Sequence, residues 1–263
     1  MELGLKGKVA FVAAASRGLG RAIAEELAQE GASLILCARN QQSLDETCEA
    51  IRQQSGAAVL GISADLAVAE DVERAVTAGL QRFSRIDIVV TNIGGPPAGV
   101  FETLTRQMWE AATRQLLMSV VELTRLVLPG MKERRWGRIL NITSIAVKQP
   151  VQNLMLSNSL RAAVTGMART LATEVAPYGI TVNNLLPGYT RTERVEQLAQ
   201  TIAAREGVSP QEVQSRWEAE IPMQRLGEPQ EFAALAAFLA SERASYITGS
   251  SIAVDGGWIR SLF

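Results

Sequence analysis

A glycine-rich turn after the first apolar segment is the clearest candidate for chemistry in this sequence. Residues 9–14 are apolar, and the chain from there reads Ala13-Ala14-Ala15-Ser16-Arg17-Gly18-Leu19-Gly20 before a helical pattern begins. Glycines let backbone N–H groups approach a phosphate, and a helix N-terminus adds free N–H groups and a positive dipole end. The turn therefore predicts a dinucleotide site, although a plain strand-to-helix turn would also need glycine for its geometry.

Histidine is absent from all 263 residues. Histidine is the commonest general base, the partner of serine in many hydrolases and the commonest zinc ligand. Its absence excludes a serine–histidine hydrolase, and the sequence predicts no metal site. Any chemistry must use other side chains or a bound cofactor.

Charge and composition argue against several classes of partner. Lys plus Arg is 26 and Asp plus Glu is 27, so no basic excess is available to neutralise a nucleic-acid backbone. No apolar run approaches the roughly 18 residues of a membrane span, and the first residues lack the apolar core of a signal peptide. Two cysteines, Cys37 and Cys48, cannot form a disulfide framework. We expect a cytoplasmic protein with no nucleic-acid or membrane partner.

The elements that would position the turn alternate between short apolar runs and amphipathic segments. This alternation predicts a doubly wound parallel sheet covered on both faces, which is a Rossmann-like α/β fold in a single domain spanning residues 1–263. The polar stretch around 189–222 predicts a helical, lid-like insertion over one edge of the sheet. The predicted strands are 9–14, 33–38, 59–63, 86–91, 137–143, 181–186 and 251–254, and two of the predicted helices are 20–29 and 70–81.

Motifs along nearly the whole chain resemble those of the short-chain dehydrogenase/reductase family. The turn resembles the family's Thr-Gly-x-x-x-Gly-x-Gly motif, with Ala13 and Ala14 in place of the Thr-Gly pair. The resemblance implies hydride transfer between a nicotinamide coenzyme and a carbonyl or alcohol carbon. Other matching segments are Ala64-Asp65-Leu66, Thr91-Asn92-Ile93-Gly94, Val182-Asn183, Pro187-Gly188-Tyr189-Thr190-Arg191-Thr192 and Asp255-Gly256-Gly257.

The resemblance also assigns binding roles to residues along the chain. The pyrophosphate would be held by Ala14, Ser16, Arg17, Gly18, Leu19 and Gly20. The adenine would be held by Asp65 and Leu66, and the ribose by Asn92 and Gly94. The nicotinamide and the pyrophosphate would be reached by Pro187, Gly188, Thr190 and Thr192.

The end of the second predicted strand favours NADP(H) over NAD(H). It reads Cys37-Ala38-Arg39-Asn40 and lacks the acidic residue that would bond the ribose hydroxyls of NAD. An arginine there suits the extra phosphate of NADP, and Arg17 is a second cation that could meet it. The alternative is that both are solvated surface arginines.

The family's catalytic set of Asn, Ser, Tyr and Lys is only partly present. In the family, Tyr is the general acid/base, Lys lowers its pKa and holds the ribose, Ser polarises the carbonyl, and Asn positions a water. Ser144 matches the serine, whereas Ser157 stands at the tyrosine position, Arg161 at the lysine position and Leu116 at the asparagine position. Ser144, Ser157 and Arg161 are therefore the predicted catalytic residues.

These replacements leave three interpretations open. An aliphatic hydroxyl is a far weaker acid than a phenol, and arginine stays protonated, so the acid–base contribution of about 10²–10⁴-fold is weakened. In the first interpretation, the protein is a reductase whose polar residues stabilise an alkoxide while water supplies the proton. In the second, it is an NADP(H)-binding regulatory module without turnover. In the third interpretation, hydride transfer involves a substrate that needs little proton help from the protein.

Partners are expected by resemblance. The long apolar helices predicted over 106–132 and 154–176 resemble the family's dimer- and tetramer-forming helices, which implies a homotetramer or homodimer. The segment 225–229 resembles that of the oxoacyl-carrier-protein reductases, a likeness too widely shared to name a substrate. A small carbonyl or alcohol is the expected substrate. An apolar stripe of Val195, Leu198 and Ile202 on the expected lid would cover an apolar substrate or pack back on the domain.

Overall fold

The computed structural model describes residues 2–262, and in that range one parallel sheet of seven strands lies between two layers of helices. The strands are β1 (Val9–Ala13), β2 (Ser33–Ala38), β3 (Val59–Ser63), β4 (Ile88–Thr91), β5 (Gly137–Ile142), β6 (Ile180–Pro187) and β7 (Ser251–Val254). The α-helices are α1 (Gly18–Gln29), α2 (Gln41–Ser55), α3 (Ala69–Phe83), α4 (Arg106–Thr113), α5 (Ser119–Arg134), α6 (Met155–Val175), α7 (Glu193–Glu206), α8 (Pro210–Glu220) and α9 (Pro229–Ala240).

The strand order places a crevice at the centre of the sheet. The order is β3-β2-β1-β4-β5-β6-β7, so the chain runs outward from β1 to β3 and then crosses back to β4 beside β1. In open parallel sheets, ligands bind at this reversal, beyond the carboxyl ends of the strands. The turns after β1 and β4 therefore face each other where a ligand is expected.

The strands are apolar on both faces because helices cover both sides of the sheet. Along β1, Ala10 and Val12 pack toward α1, α2 and α9, whereas Phe11 and Ala13 pack toward α3, α5 and α6. All five residues of β1 are buried. A strand buried on both faces cannot show a polar–apolar alternation, which is why the sequence shows continuous apolar runs.

The predicted fold class is confirmed, and element boundaries differ by a few residues. Helix α1 begins at Gly18, two residues before the predicted start, so the second half of the glycine turn is already helical. The helix predicted over 106–132 is divided by a π-helical turn, Arg114–Met118. π-turns are rare in proteins, and those that occur are often found at functional sites.

The segment expected to form a lid is helical in the structure. Helices α7 and α8 pack against each other through Ala199, Ala203, Val213 and Trp217. Thr192 caps α7, and Ser209 followed by proline begins α8. The two helices lie beside the carboxyl end of β6, above the crevice. Among residues 2–262, no helix is long and apolar enough to cross a membrane.

Candidate active site

The turn after β1 has a backbone suited to receive an anion. Gly18 has φ +55° and Ala14 has φ +48°, both in the left-handed region that favours glycine. A Cβ on Gly20 would collide with the carbonyl oxygen of Ala14 and stand 2.9 Å from Asn92 Nδ2, so this position has room for glycine alone. The residue preceding α1, Arg17, makes no side-chain cap, and the first turn of α1 has no acidic residue. Its N–H groups are therefore available to a phosphate.

Arg17 is paired with the first residue of α7. Its guanidinium forms a salt bridge with Glu193 at 2.5 Å, and both side chains are more than half exposed. The sequence predicts Arg17 as a phosphate ligand, whereas here the side chain joins the glycine turn to α7. A phosphate in the turn would compete with Glu193 for this cation.

The residues predicted to hold the adenosine lie together at the ends of β2 and β3. Ser63 donates its hydroxyl to the carbonyl oxygen of Arg39 (3.1 Å), and Ala64 N–H donates to Ala38. The Asp65 carboxylate accepts from Ala67 N–H (3.0 Å), and Leu66 is buried. The Arg39 side chain is exposed at this edge.

The turn after β4 is fixed by side chains from two helices. Gln115, in the π-turn, donates to the carbonyl oxygen of Gly94 (2.8 Å), and Arg161 Nη2 donates to that of Ile93 (3.4 Å). At the end of β4, Thr91 donates to Asn141, whose amide donates to Asn184 (3.1 Å). This chain of buried polar side chains holds the carboxyl ends of β4, β5 and β6 in register.

The segment after β6 crosses the crevice with its backbone close to the sheet. A Cβ on Gly188 would stand 2.7 Å from Asp255 Cα, so a side chain there would push the segment away from the turn that follows β7. Thr190 is buried, and Thr192 accepts from Val195 N–H as the cap of α7. The sequence places Pro187, Gly188, Thr190 and Thr192 together, and all four line the crevice.

The three predicted catalytic residues line the same cavity. Ser144 follows β5 and accepts from Ala146 N–H (3.1 Å), which leaves its own O–H free to donate. On α6, Arg161 Nε donates to Ser157 Oγ (3.2 Å) and Nη1 donates to the carbonyl oxygen of Ile142 (2.8 Å). The Ser157 oxygen is thus occupied as an acceptor, and its proton is available to a ligand.

Leu116 lies in the π-turn and is buried against Leu156 and Leu160 of α6. The apolar side chain packs where the family resemblance implies an asparagine, and a small cavity lined by Leu116, Thr91, Val120 and Val164 lies behind Arg161.

One cavity of about 410 Å³ joins the glycine turn to the serines. It contains most of the predicted site but not Ser16, Gly20, Arg39, Asp65 or Leu66. Ser16, Arg39, Asp65 and Leu66 lie toward the ends of β2 and β3, and Gly20 lies beneath the turn. The predicted residues that line it are Ala14, Arg17, Gly18, Leu19, Asn92, Gly94, Ser144, Ser157, Arg161, Pro187, Gly188, Thr190 and Thr192.

Sequence reasoning missed three large side chains of this cavity. Tyr189 stacks on Trp217 with ring centroids 4.7 Å apart, and Arg194 reaches the cavity from the first turn of α7. The stripe of Val195, Leu198 and Ile202 also faces the cavity. Tyr189 lies in the segment between Pro187 and α7 and Arg194 in the first turn of α7, so proximity to a predicted motif was the available signal. No pattern in the sequence around Trp217 indicated that it would line the cavity.

Burial changes the protonation of two cavity side chains. Burial, followed by the nearby charge of Arg194, lowers the pKa of the Arg161 guanidinium to about 10. Burial, followed by the charge of Glu220, raises the pKa of Tyr189 to about 12. At neutral pH Arg161 is therefore a cation and Tyr189 a neutral phenol.

The site offers hydrogen-bond donors and a cation but no metal ligands. Among residues 2–262, no cluster of His, Cys, Asp or Glu side chains could hold a metal ion. Two hydroxyls and one guanidinium can stabilise negative charge that develops on a substrate oxygen. These features define an α/β protein with a polar, positively charged cavity at the reversal of its sheet.

Comparison with known proteins shows that the chain belongs to the short-chain dehydrogenase/reductase family. A family model described as enoyl-(acyl carrier protein) reductase matches residues 13–259. The chain is 32% identical over 261 residues to the NADPH-dependent reductase BacG of Bacillus subtilis (strain 168), covering 97% of this chain and 99% of the relative. It is also 32% identical over 257 residues to the 3-oxoacyl-[acyl-carrier-protein] reductase FabG of Aquifex aeolicus (strain VF5), covering 98% and 99%.

A solved structure agrees closely with this fold over its full length. The L-sorbose reductase of Gluconobacter frateurii, solved in complex with NADPH and L-sorbose, has a TM-score of 0.95 and 34% identity, with 100% of both chains covered. The relatives are oxidoreductases that act on carbonyl or alcohol groups, and the predicted family is confirmed.

Proposed function

We propose that this protein is an NADP(H)-dependent reductase of carbonyl compounds. The observation that carries the proposal is the single cavity that runs from the uncapped N-terminus of α1 to Ser144, Ser157 and Arg161. Relatives with NADPH in their names or structures support the choice of coenzyme. The glycine turn fits a dinucleotide because Gly18 has the left-handed backbone and the α1 N–H groups have no side-chain cap.

In this proposal the coenzyme supplies the hydride, and side chains of this chain stabilise the oxygen left behind. The hydroxyls of Ser144 and Ser157 donate to the substrate carbonyl oxygen, and the Arg161 cation stabilises the alkoxide. Water supplies the proton, because serine is too weak an acid and Arg161 remains charged below a pKa of about 10. Arg161 would also bond the coenzyme ribose, and α7 and α8 would act as the lid.

Arg39 supports NADP(H) over NAD(H) in this proposal. Its exposed side chain stands at the end of β2, beside Asp65 and Leu66, where the ribose phosphate would lie. Arg39→Ala is expected to weaken NADPH binding about tenfold or more, because a charge-assisted hydrogen bond is lost, and to leave NADH binding nearly unchanged. Fluorescence titration with both coenzymes measures this. An equal loss of affinity for NADPH and NADH would contradict the assignment of Arg39 to the ribose phosphate of NADP(H).

A second candidate function is coenzyme binding without turnover. Ser157 in the place of a phenol and the buried Leu116 favour it, because both changes remove groups that move protons. An assay with NADPH over a panel of ketones separates the two functions. Turnover supports the reductase, whereas saturable NADPH binding without turnover supports the binding module.

A double variant tests whether the site is otherwise competent. Ser157→Tyr with Arg161→Lys restores the acid–base pair, and we expect ketone reduction to rise by about 10²-fold or more. Thermal unfolding of the double variant must remain cooperative for the comparison to hold. An unchanged rate in a folded variant that binds NADPH would show that more than the acid–base pair is missing.

We further propose a homotetramer or homodimer formed through the helical segment from α4 to α5 and through α6, and a location in a reducing cytoplasm. The two cysteines support the latter, since both are buried and free. Burial raises the pKa of the Cys37 thiol to about 12, so this thiol is unreactive.

A further inference from the structure

Two guanidinium groups approach the same short backbone segment from different helices. Arg161 on α6 donates to the carbonyl oxygen of Ile93, and Arg194 on α7 places Nη2 3.2 Å from the point where a Cβ on Gly95 would stand. Ile93 and Gly95 are two residues apart, which is at most about 7 Å of chain. The two cations therefore line one part of the cavity and repel each other.

Within the part of the chain that the structure describes, no carboxylate pairs with either of these two cations. Glu193 is the one acidic residue among the described residues that line the cavity, and it is paired with Arg17. Arg205, also in the cavity wall, is paired with Glu206. Within residues 2–262 neither Arg161 nor Arg194 forms a salt bridge, and the bonds of Arg161 go to neutral oxygens.

Arg194 is exposed and Arg161 is half-buried, so the positive charge lies where the cavity meets solvent. An anionic ligand there would remove the repulsion and supply acceptors for two forked donors. In the proposed function, the coenzyme phosphates would be held by the glycine turn and by Arg39. The wall next to Arg194 is apolar, formed by Val195, Leu198 and the Tyr189–Trp217 stack. This juxtaposition suits a molecule with an apolar body and one carboxylate.

We propose that the substrate of this site is a carbonyl compound that carries a carboxylate, bound by Arg194 with Arg161 nearby. The inference rests on the proposed reductase function. The shared chemistry is an anionic oxygen, which a substrate carboxylate or a coenzyme phosphate could supply. Arg194 is thereby a specificity-determining residue, while Ser144 and Ser157 meet the carbonyl.

Calorimetric titration of the protein saturated with NADP⁺ tests the inference without turnover. The probes are benzoylformate and acetoacetate, each compared with its neutral methyl ester. We expect the acids to bind at least tenfold more tightly than the esters. Arg194→Gln should weaken the acids by about 10–100-fold, the range for loss of a charge-assisted hydrogen bond, and leave the esters unchanged.

The matched control is Arg243→Gln, which removes an equal charge from an exposed arginine outside the cavity. It is expected to leave acid and ester binding unchanged. Equal affinity for acids and esters in the wild type, or undiminished acid binding in Arg194→Gln, would overturn the inference. A loss of NADPH affinity of tenfold or more in Arg194→Gln, with acid binding retained, would assign this arginine to a coenzyme phosphate and overturn it as well.

Steady-state kinetics with the same compounds test the proposed reductase function separately from the carboxylate site. Turnover of the esters with no preference for the acids would leave the reductase function standing and refute the carboxylate. Acid binding that depends on Arg194, together with no turnover, would support the carboxylate site and refute the reductase. If the protein fails to bind NADP⁺, the same titration on the coenzyme-free protein shows whether the acids bind more tightly than the esters and whether this preference depends on Arg194.

Discussion

Ala14 carries a φ of +48° in a turn where the family resemblance implies glycine. A Cβ in the left-handed region crowds the following carbonyl oxygen and costs about 1–2 kcal/mol. The remaining turn glycines explain how this is tolerated, since Gly18 takes a second left-handed conformation and Gly20 leaves space for the Ala14 carbonyl. Alanine in place of glycine at position 14 therefore adds backbone strain to the turn but leaves its backbone conformation unchanged.

Replacement of Ala14 by glycine is expected to stabilise the protein. Ala14→Gly should raise the free energy of unfolding by about 1 kcal/mol, and Tm by about 2–4 °C, because relief of strain exceeds the added chain entropy. Ala13→Gly is the control, since Ala13 is a buried strand residue with ordinary φ, and it should destabilise. Denaturant titration measures both, and a loss of stability in Ala14→Gly would refute the strain.

Arg161 is a half-buried cation whose partners are all neutral. Its three hydrogen bonds satisfy two carbonyl oxygens and Ser157, but no carboxylate offsets the loss of hydration. Even a buried ion pair can often be replaced by apolar side chains without loss of stability, and a cation without a carboxylate partner lacks the Coulombic gain of such a pair. The residue is consistent with a site where function is retained at the expense of stability.

Arg161→Met is therefore expected to raise the free energy of unfolding by about 1 kcal/mol at pH 7 and to abolish or sharply weaken coenzyme-dependent function. The folded-state pKa of about 10 lies below the ordinary value of 12.5, so the unfolded chain binds more protons between these values. The wild type gains stability as pH rises through that window, and the advantage of the variant should shrink above pH 10. Urea unfolding at pH 7 and pH 10.5 tests this, and a variant destabilised at pH 7 would contradict it.

Helix α7 is tied to the glycine turn by an ion pair between residues that are far apart in the chain. Arg17 and Glu193 are separated by 176 positions, and both are largely exposed, so the pair stabilises the contact by about 0–1 kcal/mol. Such a weak contact can be exchanged for a phosphate when coenzyme binds. We therefore expect coenzyme binding at the glycine turn to compete with the Arg17–Glu193 pair that holds α7.

Loss of the carboxylate should favour the coenzyme. Glu193→Gln is expected to lower the Kd for NADPH by up to about fivefold at low salt, because Arg17 is then free for phosphate. Glu196→Gln removes the same charge from the same helical turn, and Glu196 has no salt bridge among residues 2–262. It is expected to have a smaller effect. Weaker NADPH binding in Glu193→Gln would show that the ion pair instead helps to hold the bound state.

At the scale of the whole molecule, α6 has one buried face and one face open to solvent. Leu156, Leu160 and Val164 are buried, whereas Ala162, Ala163 and Gly166 are exposed. A Cβ on Gly166 would meet no atom within 4 Å. Small exposed residues on a long helix permit a second copy of the helix to approach closely.

Gly166→Arg tests the proposed assembly. In an isolated chain the change should be harmless, because the position is open and arginine favours helix more than glycine does. In a dimer or tetramer packed through α6, we expect the molar mass from light scattering to fall toward 28.3 kDa, the mass of one chain. A wild-type mass equal to one chain would contradict the assembly, and an unchanged oligomer in the variant would place the interface elsewhere.

Local patterns in the sequence predicted the fold class and many of the residues that line the cavity. The apolar runs predict β1 to β7 because strands covered on both faces need apolar side chains throughout, and the glycine turn follows β1 directly in the chain. The parallel sheet then carries the other motifs to one edge, which is why Asn92, Ser144 and Pro187 line one cavity. The sequence did not predict the division of the helix at Arg114–Met118, since a π-turn keeps a helical pattern of side chains.

Only the tertiary structure decided how the charges are paired. The Arg17–Glu193 bridge and the approach of Arg194 to Gly95 depend on where α7 lies over the sheet, and no local pattern encodes that placement. The stacking of Tyr189 on Trp217 depends in the same way on the packing of α8. Secondary structure follows from interactions between neighbours in the chain. The charge of this cavity follows from long-range packing, which the spacing of residues does not reveal.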